Sequence, residues 1–200
     1  MNVRCNILPE PRFAELGATL QERLAQVAAA ITAENFPSLL DPLMRTVLQE
    51  GFDCATAHEG TVWLADAAGE FLSPAFNSGP NAGRWVGKFK QPLSSGIISM
   101  VFASEQPFIE NEVFKNALQS KVLDHNLGVQ THALIAVPFY FLKACRGVIS
   151  CVQLNHPGAA PDSLSGFRPE HLLCVEQTAA LLSRLVEYRL LSNTVGWTTE

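Results

Sequence analysis

The chain has 200 residues, 48% of them hydrophobic and 16% charged, with a net charge of -5. That length and composition describe a globular domain with a sizeable core and rule against a disordered chain. The acidic balance, with no run of Lys or Arg, speaks against a nucleic-acid surface, which needs clustered cations to displace counterions.

The first expected element is a helix over residues 13–31, where Phe13, Leu16, Leu20, Leu24, Val27 and Ile31 recur at helical spacing. A second helix is expected from Pro37, with Ser38 or Asn35 as its cap and Gly51 as its end. A hairpin follows: a strand over 61–65, a turn at 66–69 and a return strand over 71–77. Residues 78–83 read as a Gly/Pro/Asn loop and 85–93 as a third strand. Ser94, Ser95 and Gly96 then open a short helix running through Ala103, and Pro107, Phe108 and Ile109 read as extended. Residues 115–126 read as helical or irregular.

Two strands over 131–141 and 146–154 are apolar on both alternating faces, the mark of central strands in a sheet covered on both sides. In the first, Thr131, Ala133, Ile135 and Val137 fall on one side and Leu134, Ala136 and Pro138 on the other, with a tight turn at 142–145 after it. Beyond a loop at 156–166 comes a long helix over 168–192 with two apolar stripes. One comprises Leu172, Val175, Ala179, Leu182 and Val186, and the other Cys174, Thr178, Leu181, Leu185 and Tyr188. The first can cover the sheet. The second needs a further partner, either the first helix or its copy in a second subunit, so a homodimer is expected.

Motifs for catalysis are missing. There is no GxSxG elbow, Walker loop or GxGxxG, and the five histidines show neither HxxxH nor HExxH spacing, so no catalytic or metal site is expected. Cys5, Cys54, Cys145, Cys151 and Cys174 are odd in number and form no CxxC pair, which reads as reduced thiols of a cytoplasmic protein. No signal peptide and no membrane-spanning run is seen. One local feature suits a ligand: a helix opening at Ser94, Ser95 and Gly96 presents backbone N–H groups and a partial positive charge, which favour an anionic or polar group. The same residues also make an ordinary helix start.

Three stretches resemble the GAF family. Residues 94–101, followed by Ser104-Glu105-Gln106-Pro107-Phe108-Ile109, resemble its "G-I-x-x-x-V … x-G-x-P-x-x-I" segment. Residues 127–139 are similar to "G-[FV]-x-[ST]-x-x-L-x-V-P-[LI]", and Arg146-Gly147-Val148-Ile149 to "x-G-V-[IL]". The likeness covers residues 36–190. It implies an α/β (α+β) fold with a central antiparallel sheet of five to six strands, terminal helices on one face and a ligand pocket under short helices on the other. The implied organisation is a helical extension at 1–35, a GAF domain at 36–192, and a tail or linker start at 193–200. Matching positions to the cyclic-nucleotide-binding members places Thr61, Phe76, Asn77, Ile97, Asp124 and Thr131 at a ligand, beside Ser95 and Gly96 of the helix start. The rest of that signature is broken: Phe167 is followed by His171 and Leu172 where two acids are expected. The cysteines of bilin-binding members and of free methionine sulfoxide reductases have no counterpart, since none lies between Cys54 and Cys145. The resemblance implies a regulatory module with an unidentified small ligand, acting on an output domain or signalling partner. A ligand-free dimerisation scaffold is the alternative, and an enzyme with an unrecognised site the third reading.

Overall fold

The computed structural model describes residues 14–155 and 164–196. Phe13, Cys5, most of the 156–166 loop and the end of the tail lie outside them. The described helices are α1 (Ala14–Ala29), α2 (Pro42–Cys54), α3 (Ala82–Trp85), α4 (Ile97–Ser104), α5 (Val122–Leu127) and α6 (Pro169–Val195). The strands are β1 (Glu59–Ala65), β2 (Phe71–Asn77), β3 (Gln91–Pro92), β4 (Phe108–Glu110), β5 (Gln130–Phe141) and β6 (Ala144–Asn155). The strands form one antiparallel sheet in the order β3-β2-β1-β6-β5-β4. The α+β architecture expected from the sequence is the one observed.

β6 sits at the centre beside β1, while β5, also expected to be central, lies between β6 and the edge strand β4; both are apolar on two faces and each feeds two cores. Ala133, Ile135, Val137, Ile149 and Cys151 face the side covered by α2 and α6, where they meet Leu48, Phe52, Val175, Leu182 and Val186. Leu134, Ala136 and Val148 face the other side and pack with Trp63, Leu72, Ile97 and Val101. The two strands are joined at Leu142 and Lys143, both with positive φ, 51° and 64°, the geometry of a tight two-residue hairpin. The backbone N–H of Leu142 donates to Glu187 Oε1 at 2.7 Å, tying this turn to α6.

Several local expectations need correction. α2 is capped by Asp41, whose side chain accepts from Met44 N at 2.9 Å, rather than by Asn35 or Ser38, because Pro42 takes the first helical position and places Asp41 at the cap. Gly51 does not end α2; it lies inside the helix against the Thr178 side chain of α6, where an added Cβ would overlap that side chain. The expected strand over 85–93 is instead the single turn of α3, a reversal at Gly87 with φ 72°, and the two-residue β3. On α1, Leu16 and Val27 of the expected apolar stripe are exposed, and Ala28 is the residue buried in the core.

The cysteine reading also changes. α2 and α6 pack with Asp41 near Arg189, Gly51 near Thr178 and Cys54 near Cys174, so the helices run antiparallel. This brings Cys54 and Cys174, 120 residues apart, to a Cα–Cα distance of 6.1 Å, where they are joined by a disulfide. Cys145 and Cys151 remain free thiols.

Val137 and Val148 are almost fully buried on opposite faces of the same strand pair. Val137→Ala should cost about 1–3 kcal/mol through lost burial and a residual cavity, read from a urea transition; a change within about 0.5 kcal/mol would place the strand at the periphery. Reduction with dithiothreitol should lower stability by about 2–4 kcal/mol, since it frees a loop of more than a hundred residues in the unfolded chain. An unchanged midpoint would mean that the two cysteines are not linked in solution.

Candidate functional site

The sheet face away from α2 and α6 is covered by short elements only. α4 lies over β5 and β6, α3 beside β2, and α5 approaches β5. Between them is a cavity of about 70 Å³ that opens to solvent, bounded by Thr61 and Trp63 of β1, Ser150 and Val152 of β6, Thr131 and Leu134 of β5, Ile97 of α4, and Leu123, Asp124 and Leu127 of α5. Trp85, Phe89 and Gln91 close the end near β3.

Five of the eight expected ligand residues line this space: Thr61, Gly96, Ile97, Asp124 and Thr131. Thr131 reaches it through a local irregularity. Strict alternation puts Thr131 on the same face as Ala133. The register shift between them, with Thr131 opposite Leu154 and Ala133 opposite Gln153, inserts His132 and turns Thr131 to the cavity. Asp124 and Thr131 are bonded to each other: Oδ2 accepts from Thr131 N at 2.8 Å and Oδ1 from Thr131 Oγ1 at 2.7 Å. This pair fastens α5, which buries no residue of its own, to the start of β5.

The other three residues lie elsewhere. Phe76 pairs with Val62 across the hairpin and therefore faces the α2 side, where the Arg45 guanidinium lies 5.8 Å from its ring centroid. Asn77 is buried beside Thr61, but its amide is engaged: Nδ2 donates to Thr61 Oγ1 at 3.0 Å and to Glu59 Oε2 at 3.2 Å, and Oδ1 accepts from Gly79 N at 2.8 Å. Ser95 contributes its carbonyl to Gln91 Nε2 at 2.7 Å, which holds the loop before α4. α4 begins at Gly96, with φ 95° and no side-chain cap.

Three residues that sequence reasoning missed dominate one end of the wall. Trp63, Trp85 and Phe89 form a cluster with ring centroids 5.6–6.5 Å apart. Trp63 Nε1 donates to Ser150 Oγ at 2.9 Å. Trp85, 6% exposed, has a buried Nε1 with no partner. The signal is two tryptophans in one small domain, but the sequence places Trp85 and Phe89 in the expected strand over 85–93.

The charge pattern is one-sided. Glu59 and Asp124 are the acids on the wall, and no Lys, Arg or His lines it. None of the four described cysteines lines it either. Burial pushes the thiols of Cys145 and Cys151 above their usual range, which disfavours the nucleophilic thiolate. Among the described residues, no group of three or more His, Cys, Asp or Glu is placed to hold a metal ion, and no helix is long and apolar enough to cross a membrane.

No protein-family model and no curated protein matches the sequence. Solved structures do match. The GAF domain from a phosphoenolpyruvate-protein phosphotransferase (ptsP) of Coxiella burnetii aligns at 16% identity and TM-score 0.58, over 90% of this chain and 96% of that one. A methyl-accepting chemotaxis protein fragment, residues 122 to 287, aligns at 17% and 0.57, over 86% and 97%. The free methionine-R-sulfoxide reductase of Neisseria meningitidis, solved with its substrate, aligns at 15% and 0.52, over 94% and 96%. Such neighbours include both regulatory domains and enzymes, and at these identities they speak for architecture alone. With the sheet order, the two-sided core and these alignments together, the described chain has the GAF fold.

Proposed function

We propose that this chain is the sensory module of a signalling protein, binding a small molecule in the cavity between the sheet and α4–α5 and reporting it through its long terminal helices to an output domain or partner. The observation that carries the reading is the cavity. Its floor comes from the three adjacent strands β1, β6 and β5, and its cover is a short, loosely buried helix fastened by one carboxyl group. A rigid floor under a lightly held cover is the arrangement a ligand can order. The path outward is short: Val62 and Leu64 of β1 sit in the core under α2 and α6, while Thr61 and Trp63 of the same strand line the cavity.

A regulatory role is favoured over a catalytic one by the wall itself, which carries no cysteine, histidine or lysine. Cyclic nucleotides are disfavoured by the same wall. It offers a phosphate no cation, and two of the acids and hydroxyls assigned to that ligand, Asp124 and Thr131, bond each other. The second reading is a ligand-free scaffold, supported by the small volume of about 70 Å³. In both readings the chain works as a homodimer. On α6, Cys174, Thr178 and Leu185 of the second stripe are at least half-buried, whereas Leu173, Leu181, Tyr188 and Val195 stay exposed in one row at near-heptad spacing.

A thermal-shift screen of small metabolites should raise the melting temperature with at least one compound, and Leu134→Trp, which fills the cavity, should abolish the shift. If no compound stabilises the chain and Leu134→Trp is itself stabilising, the scaffold reading holds. Asp124→Ala should speed amide exchange in residues 119–129 roughly tenfold or more through loss of two bonds to a carboxyl group, leaving β1 and β6 protected; unchanged exchange would show that the cover is held by other contacts. Light scattering should report a dimer at micromolar concentration that Leu181→Glu with Tyr188→Glu converts to monomer. A wild-type monomer would remove the dimer from the account.

A further inference from the structure

The geometry points to a ligand class for this cavity: a small uncharged carbonyl compound with an apolar body, its oxygen accepting from Trp85 Nε1. The inference rests on the reading of the cavity as a ligand site and names what that site selects.

Three observations converge on it, and size adds a fourth. Trp85 is 6% exposed, lines the cavity and keeps a buried indole N–H without a partner, whereas the neighbouring Trp63 spends its N–H on Ser150. A buried unpaired donor is costly, and an acceptor carried in by a ligand recovers that cost. The wall holds the carboxyl groups of Glu59 and Asp124 and no cation, so an anionic ligand would lose its hydration and meet like charge. A cationic ligand could approach those acids but would leave the Trp85 donor unpaired and facing a positive group. Apart from Gln91, whose Nε2 is bonded to the Ser95 carbonyl, the wall near Trp85 is apolar, with Trp63, Phe89, Leu134 and Val152 offering dispersion contacts to a hydrocarbon body.

Size narrows the class further. The space of about 70 Å³ opens to solvent and is less than half of the ~150 Å³ cavity that takes in a benzene ring whole, so a ring such as cyclopentanone enters only in part. The buried part of the ligand is therefore short, and anything longer extends into solvent through the open side of the cavity. Ketones, lactones, esters and secondary amides with a compact aliphatic body meet all four conditions. Carboxylates, phosphates and quaternary ammonium ions do not.

The test uses the full chain labelled with ¹⁵N and with ¹³C-methyl Leu and Val. Its three tryptophans, Trp63, Trp85 and Trp197, give three indole N–H resonances, of which Trp85→Phe removes one and so assigns it. Cyclopentanone is the probe, with acetate, inorganic phosphate, tetramethylammonium and xenon as comparisons. The expected result is a saturable downfield shift of the Trp85 indole proton with cyclopentanone, accompanied by shifts of the Leu134 and Val152 methyls. Trp85→Phe should weaken cyclopentanone binding about fivefold, the worth of one ordinary hydrogen bond. Equal affinity in Trp85→Phe would overturn the assigned acceptor contact. If that variant does not fold, Trp63→Phe and Trp197→Phe assign the Trp85 resonance by elimination, the direction of its shift in the wild type decides the same point, and an upfield or absent shift on saturation overturns the contact. Acetate, phosphate or tetramethylammonium saturating these resonances more tightly than cyclopentanone would overturn the ligand class and leave the cavity standing as a ligand site. Xenon moving the Leu134 and Val152 methyls while cyclopentanone moves nothing would do the same. No response to any probe, xenon included, would overturn the ligand site and this inference together.

Discussion

The structure depends on one constraint: β5 and β6 carry apolar side chains on both faces, so the sheet must be covered on both sides. The two covers differ in kind. On one side, α2 and α6 supply long apolar stripes, cross-linked at Cys54 and Cys174 and pinned by Glu187 to the β5–β6 turn. On the other, the sheet is roofed by α3, α4, α5 and irregular chain, whose short elements do not fill the volume above the strands. The solid face makes the domain stable; the thin face leaves room for something else. A sheet held rigid from behind and open in front also couples the two, because alternate residues of β1 belong to each side.

Two irregularities in the sheet decide what faces the cavity. The extra residue at His132 turns Thr131 inward, where it takes both oxygens of Asp124 and fastens the cover. The register shift between Val62 and Trp63 in the β1–β2 pairing accompanies Phe76 facing the helix side and Asn77 lying beside Thr61. Bulges are known to re-aim side chains next to binding sites, and both act here within a few residues of the cavity rim. The aromatic cluster of Trp63, Trp85 and Phe89 then sets the polarity of the remaining wall, and its one unpaired N–H is the feature the packing leaves unresolved.

Much of the frame could be read from periodicity. The 61–77 hairpin, the β5–β6 pair, the short helix at 97–104 and the long final helix each have a clean pattern, a turn signal or both. The region around Trp85 could not be read that way. Its apolar residues alternate like a strand, but Gly87 turns the chain with φ 72°, and the rings serve the cavity instead of a ladder. The likeness puts Thr131 at the cavity, where it lies, but it also puts Phe76 there, and strict alternation puts Thr131 on the face of Ala133; neither argument detects a one-residue register shift. The disulfide was hidden for another reason: its cysteines are 120 residues apart and meet only once α2 and α6 pack antiparallel.

The central claim is that the thin side of the sheet encloses a ligand and not merely loose packing. Native mass spectrometry of the chain, isolated under mild conditions and compared with the same sample denatured, tests this most directly. The account predicts a small organic adduct, one per chain, present in the native spectrum and released on denaturation, and absent from a variant with Leu134 enlarged to Trp. An adduct that survives in that variant would place the ligand elsewhere. A bare native mass, together with a crystal structure in which the rings and α5 close the space completely, would contradict the claim.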